Sequence, residues 1–197
     1  MNLLSTLALA MGSSWVSGIN LYAAVATLGL LGRFAGLKLP GELGIVTNWW
    51  VIGVAVGLYV IEFFADKVPL IDSAWDAVHT FIRIPAGAVL AAASFSDFDK
   101  GVQVIAFLIG GGLAFSSHGT KAATRAAINT SPEPASNIAA SLVEDVVAVG
   151  SIILAWLYPV AVIALVVLGV IVSIILVPRI VGYFRAAILR VRTLFGG

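Results

Sequence analysis

Long apolar runs constrain this chain more than any other feature, several of them reaching the roughly 20 residues that cross the hydrocarbon core of a bilayer. The backbone of such a run has to satisfy its own N–H and C=O groups, which leaves helices or a closed barrel. A barrel would show alternating segments of about ten residues, and the sequence has none. The runs and their breaks predict helical segments at about 2–34, 44–65, 72–95, 101–130, 135–157 and 159–178. A basic, amphipathic tail follows over 181–197, with Arg179 at its edge and Arg185, Arg190 and Arg192 within it. The expected class is an all-α polytopic membrane protein of about six spans, one integral domain over 1–197.

Composition agrees. Charged residues make up 11% of the chain, against about a quarter in soluble domains. A net charge of +1 argues against a nucleic-acid surface. The chain has no cysteine, which removes disulfides, thiolate metal sites and cysteine nucleophiles. The opening MNLLSTLALAMGSSW has the apolar core of a signal peptide but no basic flank, and is expected to belong to the mature chain.

The two halves resemble each other. VAVG occurs at 54–57 and again at 147–150, and Pro85 and Pro178 share the same offset of 93 residues. Each half opens with a long apolar segment broken by Ser and Gly and then reaches a Pro/Glu link, LPGE at 39–42 and SPEP at 131–134. Three spans per half predict a 3+3 inverted repeat, about 1–97 and 98–180, with a broken helix in each half. With both ends of the chain cytoplasmic, the inner side holds Lys67, Arg83, Lys121, Arg125 and the four tail arginines. The outer side then holds Arg33, Lys38 and Lys100, a bias of eight to three. Trp49, Trp50, Trp156 and Tyr158 fall at the outer headgroup level.

The expected breaks are GSSWVSGINLY (12–22) and FSSHGTK (115–121). Small residues there let helices pack closely, the better reading for Gly12 and for 110–112. The company of Asn20, Tyr22, His118, Thr120 and Lys121 favours opened backbone lining a polar cavity. The candidate substrate residues are therefore Ser17, Gly18, Asn20, Tyr22, Ser117, His118, Gly119, Thr120, Lys121 and Arg125. A helix restarting at Gly119 beside Lys121 and Arg125 would suit an anion.

Ionisable groups crowd one stretch: Glu62, Asp66, Lys67, Asp72, Asp76, His79 and Arg83. Asp72, Asp76, His79 and Arg83 recur at i, i+4, i+7 and i+11, one stripe of a helix. Asp66 and Asp72 read as boundary charges, Asp72 as a helix cap with Ser73. Asp76, His79 and Arg83 climb inward, where an Asp76–Arg83 or Glu62–Arg83 pair would hold the bundle together. Glu144 and Asp145 lie near mid-membrane and point about 100° apart. These carboxylates, with His79 and Arg83, are the candidate coupling-ion or proton sites.

SGINLY (17–22) and EFFADKVPLIDSAWDAVHTFIR (62–83), with its D-K-V-P-x-x-D-S-x-W-D run, resemble the bacterial membrane family catalogued as domain of unknown function 4126. The resemblance implies a multi-span protein of the bacterial inner membrane and carries no activity.

The expected function is a small secondary transporter or channel, expected as a homodimer, working on a small ion or an anionic or lipid-phosphate substrate without a cofactor. The alternative is a Mg-dependent membrane enzyme acting on a lipid-linked phosphate through Asp66, Asp72 and Asp76. No hydrolase triad signature or zinc motif is present, so an enzyme is the weaker expectation.

Overall fold

The computed structural model describes residues 2–129 and 134–195, the side chains at 69, 70, 134, 187, 188 and 190–195 excepted. Residues 131–133 of the SPEP link and the side chains of Arg190 and Arg192 therefore lie outside the described residues. The described residues are all-helical: α1 (Leu3–Phe34), a short 3₁₀ helix (Gly41–Thr47), α2 (Trp49–Ala65), α3 (Pro69–Ser94), α4 (Lys100–Ile128), α5 (Pro134–Leu157) and α6 (Pro159–Phe195). Five of these, α1 and α3 to α6, are long and apolar enough to cross a membrane. A sixth qualifies if α2 is counted with the 3₁₀ helix, against which it bends by 69°. The chain is a multi-span membrane protein.

Local chemistry sets the helix starts. The Asn48 side chain accepts the Trp50 N–H at the head of α2, and Asp99 accepts those of Gly101 and Val102 at the head of α4. Prolines open α3 and α6, where a missing N–H costs nothing. Asp72 does not cap α3. Val68 holds that position without a side-chain bond, and Asp72 sits one turn in, fully buried.

The α1 helix is not straight. Asn20 has φ −149° and ψ 96°, which is extended backbone inside an otherwise helical segment. A straight helix of 32 residues would be about 48 Å long. Yet Leu3 and Thr6, at its start, line one hollow with Lys38, Leu39, Pro40 and Gly41, just past its end. The four peptide steps from Phe34 to Lys38 reach at most about 14 Å, so α1 must fold back. Neighbours along α3 agree: Ala10 packs near Ala91 and Phe95, Ser17 bonds the Arg83 carbonyl, and Val25 returns to the side of Val89 and Leu90. The first break in the sequence is therefore real, and it makes a helical hairpin with its apex at Asn20.

This hairpin is the centre of the fold, in contact with all five other helices. Small residues allow the approach. A Cβ on Gly18 would sit 2.0 Å from the Ser117 hydroxyl oxygen and 2.2 Å from the Ala114 carbonyl. A Cβ on Gly110 would meet Ala91 at 2.5 Å and the Gly87 carbonyl at 2.8 Å. With little hydrophobic drive between helices in lipid, close backbone contact of this kind supplies the packing.

The second expected break does not occur. α4 runs uninterrupted from Lys100 to Ile128, through FSSHGTK. Its polar side chains fit a continuous helix: Thr120 donates to the Ser116 carbonyl one turn back (3.0 Å), while Ser117 turns its shorter bond (2.6 Å) outward to the Trp15 carbonyl of α1. Gly119 meets only open space. A helix N-terminus at Gly119, and the anion site built on it, are absent. VAVG falls in α2 and in α5, and Pro85 and Pro178 fall inside α3 and α6, but one half is broken and the other is not.

Candidate functional site

The hairpin apex leaves carbonyl groups at the end of its first arm without helical partners. Side chains of α4 supply them. Ser117 donates to the Trp15 carbonyl (2.6 Å), and the Lys121 ammonium lies 3.3 Å from the Ile19 carbonyl. His118 Nδ1 lies 3.2 Å from the Gly18 carbonyl, while its Nε2 meets the Thr80 hydroxyl at 2.7 Å. A tautomer with the proton on Nδ1 satisfies both contacts. The second arm starts with a cap of its own, since Asn20 Oδ1 accepts the Ala23 N–H (2.9 Å). Its Nδ2 donates to Asp145 Oδ1 (3.3 Å). The two polar stretches of the sequence thus form one site, with the residues around His118 closing the break at Asn20.

Below the apex lies a buried ionic cluster drawn from four helices and the α2–α3 turn. Arg83 of α3 is fully buried and bonds Glu62 of α2 (2.7 Å) and Asp76 of its own helix (2.6 Å). Lys121 of α4 reaches Asp66 in the turn (3.1 Å), Asp76 (3.5 Å), Glu144 of α5 (3.5 Å) and Glu62 (3.9 Å). Arg125, one turn on, bonds Glu144 through two nitrogens at 3.1 and 2.6 Å and lies 3.8 Å from Asp72. Asp76, His79 and Arg83 face inward as expected, and Asp72, on the same stripe, is buried with them. Both expected partners of Arg83 are found, because its guanidinium is planar and presents five donors.

The boundary reading of Asp66 and Asp72 is corrected, since both are buried in the cluster. So is the picture of Lys121 and Arg125 as a free cationic lining, because each is taken up by carboxylates. Glu144 and Asp145 diverge as neighbours on a helix must, one to Arg125 and the other to Asn20. Tyr22 donates to His79 Nε2 (3.0 Å), whose Nδ1–H donates to the Trp75 carbonyl (2.8 Å). Lys67 stands at the rim, half-buried, its ammonium over the Phe63 ring and bonded to the Phe63 carbonyl. Burial pushes its pKa down, against the pull of Asp145 and Asp66.

Charge does not balance here. Glu62, Asp66, Asp72, Asp76 and Asp145 are buried against three buried cations, Arg83, Lys121 and Arg125, with Glu144 and Lys67, one of each sign, half-buried beside them. Buried oxygens of Glu62, Asp66, Asp72, Asp76 and Asp145 have no hydrogen-bond partner, and for Asp72 that is true of both oxygens. Carboxylates in excess in a medium of low polarity take up protons or recruit a cation. Among the described residues, no three His, Asp or Glu side chains converge to hold a metal ion. Asp66, Asp72 and Asp76 each face a lysine or arginine where a Mg²⁺ would have to sit.

Asn137 and Thr80 belong to the site without having been singled out. The Asn137 amide donates to the Asp66 carbonyl (2.9 Å), its oxygen accepts from Arg125, and it is 1% exposed. A lone Asn near the start of an apolar helix was the only available signal.

A family model described as domain of unknown function (DUF4126) matches residues 7–179. No curated protein and no solved structure matches the chain.

Proposed function

The chain belongs to the DUF4126 family, whose description names no activity, and we propose from the site itself that it is a small secondary transporter or channel worked by protons. One observation carries this reading: a break in a membrane-buried helix lies directly against a buried excess of carboxyl groups. Broken helices at membrane depth are tolerated where they line a site, and intramembrane carboxylates are the usual proton carriers. Asp72 would exchange protons at the end of the cluster near the α2–α3 turn. Asp76, Glu62 and Asp66 would share the charge, and Asp145 would couple it to Asn20 at the apex. The enzyme alternative is the weaker reading, since Asp66 and Asp76 pair closely with Lys121 and Arg83, leaving Asp72, 3.8 Å from Arg125, as the least committed of the three.

We also infer a topology. A hairpin α1 that enters and returns leaves α2 to α6 as five crossings. The start of α1 and the end of α6 then lie on opposite faces, rather than both in the cytoplasm. Three of the eight inner basic residues, Arg83, Lys121 and Arg125, are buried and no longer count as flanking charge. Five against three still places the α6 end inside.

The test is flux. Purified protein in liposomes carrying an internal pH dye should dissipate an imposed proton gradient faster than empty liposomes. Asp72→Asn should abolish the flux with little change in melting, since that side chain accepts no hydrogen bond. Gradient decay equal to that of empty liposomes, with monodisperse folded protein, would sink the proposal.

A further inference from the structure

A cleft of about 510 Å³ lies between α4, α5 and α6, with the α1 hairpin as its floor. Its walls are apolar, from Trp15, Val147, Leu165, Leu168 and Val172 among others. Val143 and Leu168 are exposed at 62% and 58%, so the cleft opens sideways toward lipid. At one end its lining is Val147 of α5 and Leu165 of α6. Toward the other end the lining becomes polar: Thr120 and Ser173, whose hydroxyls meet at 2.6 Å, then Glu144, Lys121 and Thr124. Following the same helices onward, Ala127 of α4 and Arg179, Ile180 and Tyr183 of α6 line a second hollow of about 420 Å³.

The order along the membrane normal is what identifies the occupant. At 1.5 Å per residue, Leu165 to Ser173 covers about 12 Å of apolar wall, and Ser173 to Arg179 a further 9 Å or so to the exposed guanidinium. Greasy wall, then hydroxyls, then a cation is the polarity sequence of an acyl chain, its ester region and a phosphate. Arg179 is exposed and has no carboxylate within ion-pair distance among the described residues. The Trp15 indole N–H, whose ring edge packs against Gly169, has no partner.

We propose that this cleft holds one anionic phospholipid, its acyl chain between α5 and α6 and its phosphate on Arg179, in the leaflet at the α6 end of the molecule. The inference does not depend on transport. It needs only the cleft and the cation at its mouth.

Native mass spectrometry of the detergent-purified protein tests it, with phosphatidylglycerol or phosphatidylcholine of matched chains added at equal concentration. One phosphatidylglycerol should be retained preferentially. Leu168→Trp and, from the opposite wall, Val143→Trp fill the cleft from exposed positions and should abolish retention while the protein stays folded. Arg179→Gln should reduce the preference about fivefold, the share of one basic residue near the surface. Equal retention of the two lipids, or unchanged retention in both tryptophan variants, would overturn the proposal. Displacement of the lipid by millimolar inorganic phosphate would also overturn it, by reassigning Arg179 to a free anion.

Discussion

At the scale of single residues, Arg83 is the hinge of the ionic cluster. It is 0% exposed and holds two carboxylates at once. Removing one partner from a buried pair costs about 3–5 kcal/mol, because the charge left behind is stranded. Arg83→Gln should therefore lower thermal stability sharply, and adding Glu62→Gln should recover part of it. No recovery in the double variant would mean that Glu62 is not the stranded group. Glycines separate just as clearly. Gly18→Ala forces a Cβ to within 2.0 Å of Ser117 Oγ, an overpacking worth about 1–3 kcal/mol. Gly119→Ala, in open space, should leave the melting temperature in detergent unchanged or slightly raised. A reversal of that ranking would contradict the packing described at the hairpin.

At the scale of elements, the α1 hairpin depends on Asn20 twice, as cap of the second arm and as donor to Asp145. Asn20→Ala should cost about 1 kcal/mol through the lost cap. Amide exchange at Ala23, read by mass spectrometry in detergent, should then speed up about fivefold, with amides in mid-α6 unaffected. The sequence showed that something polar happens near residues 17–22, but not which way the chain leaves it. Ser and Gly permit both a break and close packing, and the choice rests on whether an outside partner satisfies the freed carbonyls. Ser117, His118 and Lys121 do that for α1. In α4 one carbonyl, that of Ser116, also receives an outside hydroxyl, from Ser173, yet the helix runs on unbroken from Lys100 to Ile128.

At the scale of the whole molecule, the proposed topology of five crossings rests on the fold-back of α1. Cysteines placed singly at Ser5 and Lys38 should label from the same face, and one at Arg185 from the opposite face, with an impermeant thiol reagent. The chain has no native cysteine to confuse the result. Labelling of positions 5 and 185 from one face would restore an even number of crossings. Of the four aromatic residues expected at the outer headgroup level, Trp49, Trp50 and Tyr158 are exposed, whereas Trp156 packs against the core.

By itself the sequence determined the class, the helical segments apart from the start of α2 at Trp49 and the end of α6 at Phe195, and the inward run of Asp76, His79 and Arg83. Each of these depends on local periodicity or on the cost of bare backbone in lipid, both of which are properties of a stretch of chain. Only the tertiary structure decided that α1 turns back and that α4 does not break. It also decided that Asp66, Asp72, Lys121 and Arg125 are buried partners rather than boundary charges. Those outcomes depend on which group from a distant helix reaches a given carbonyl or carboxylate. A residue's own neighbours in sequence carry no record of that.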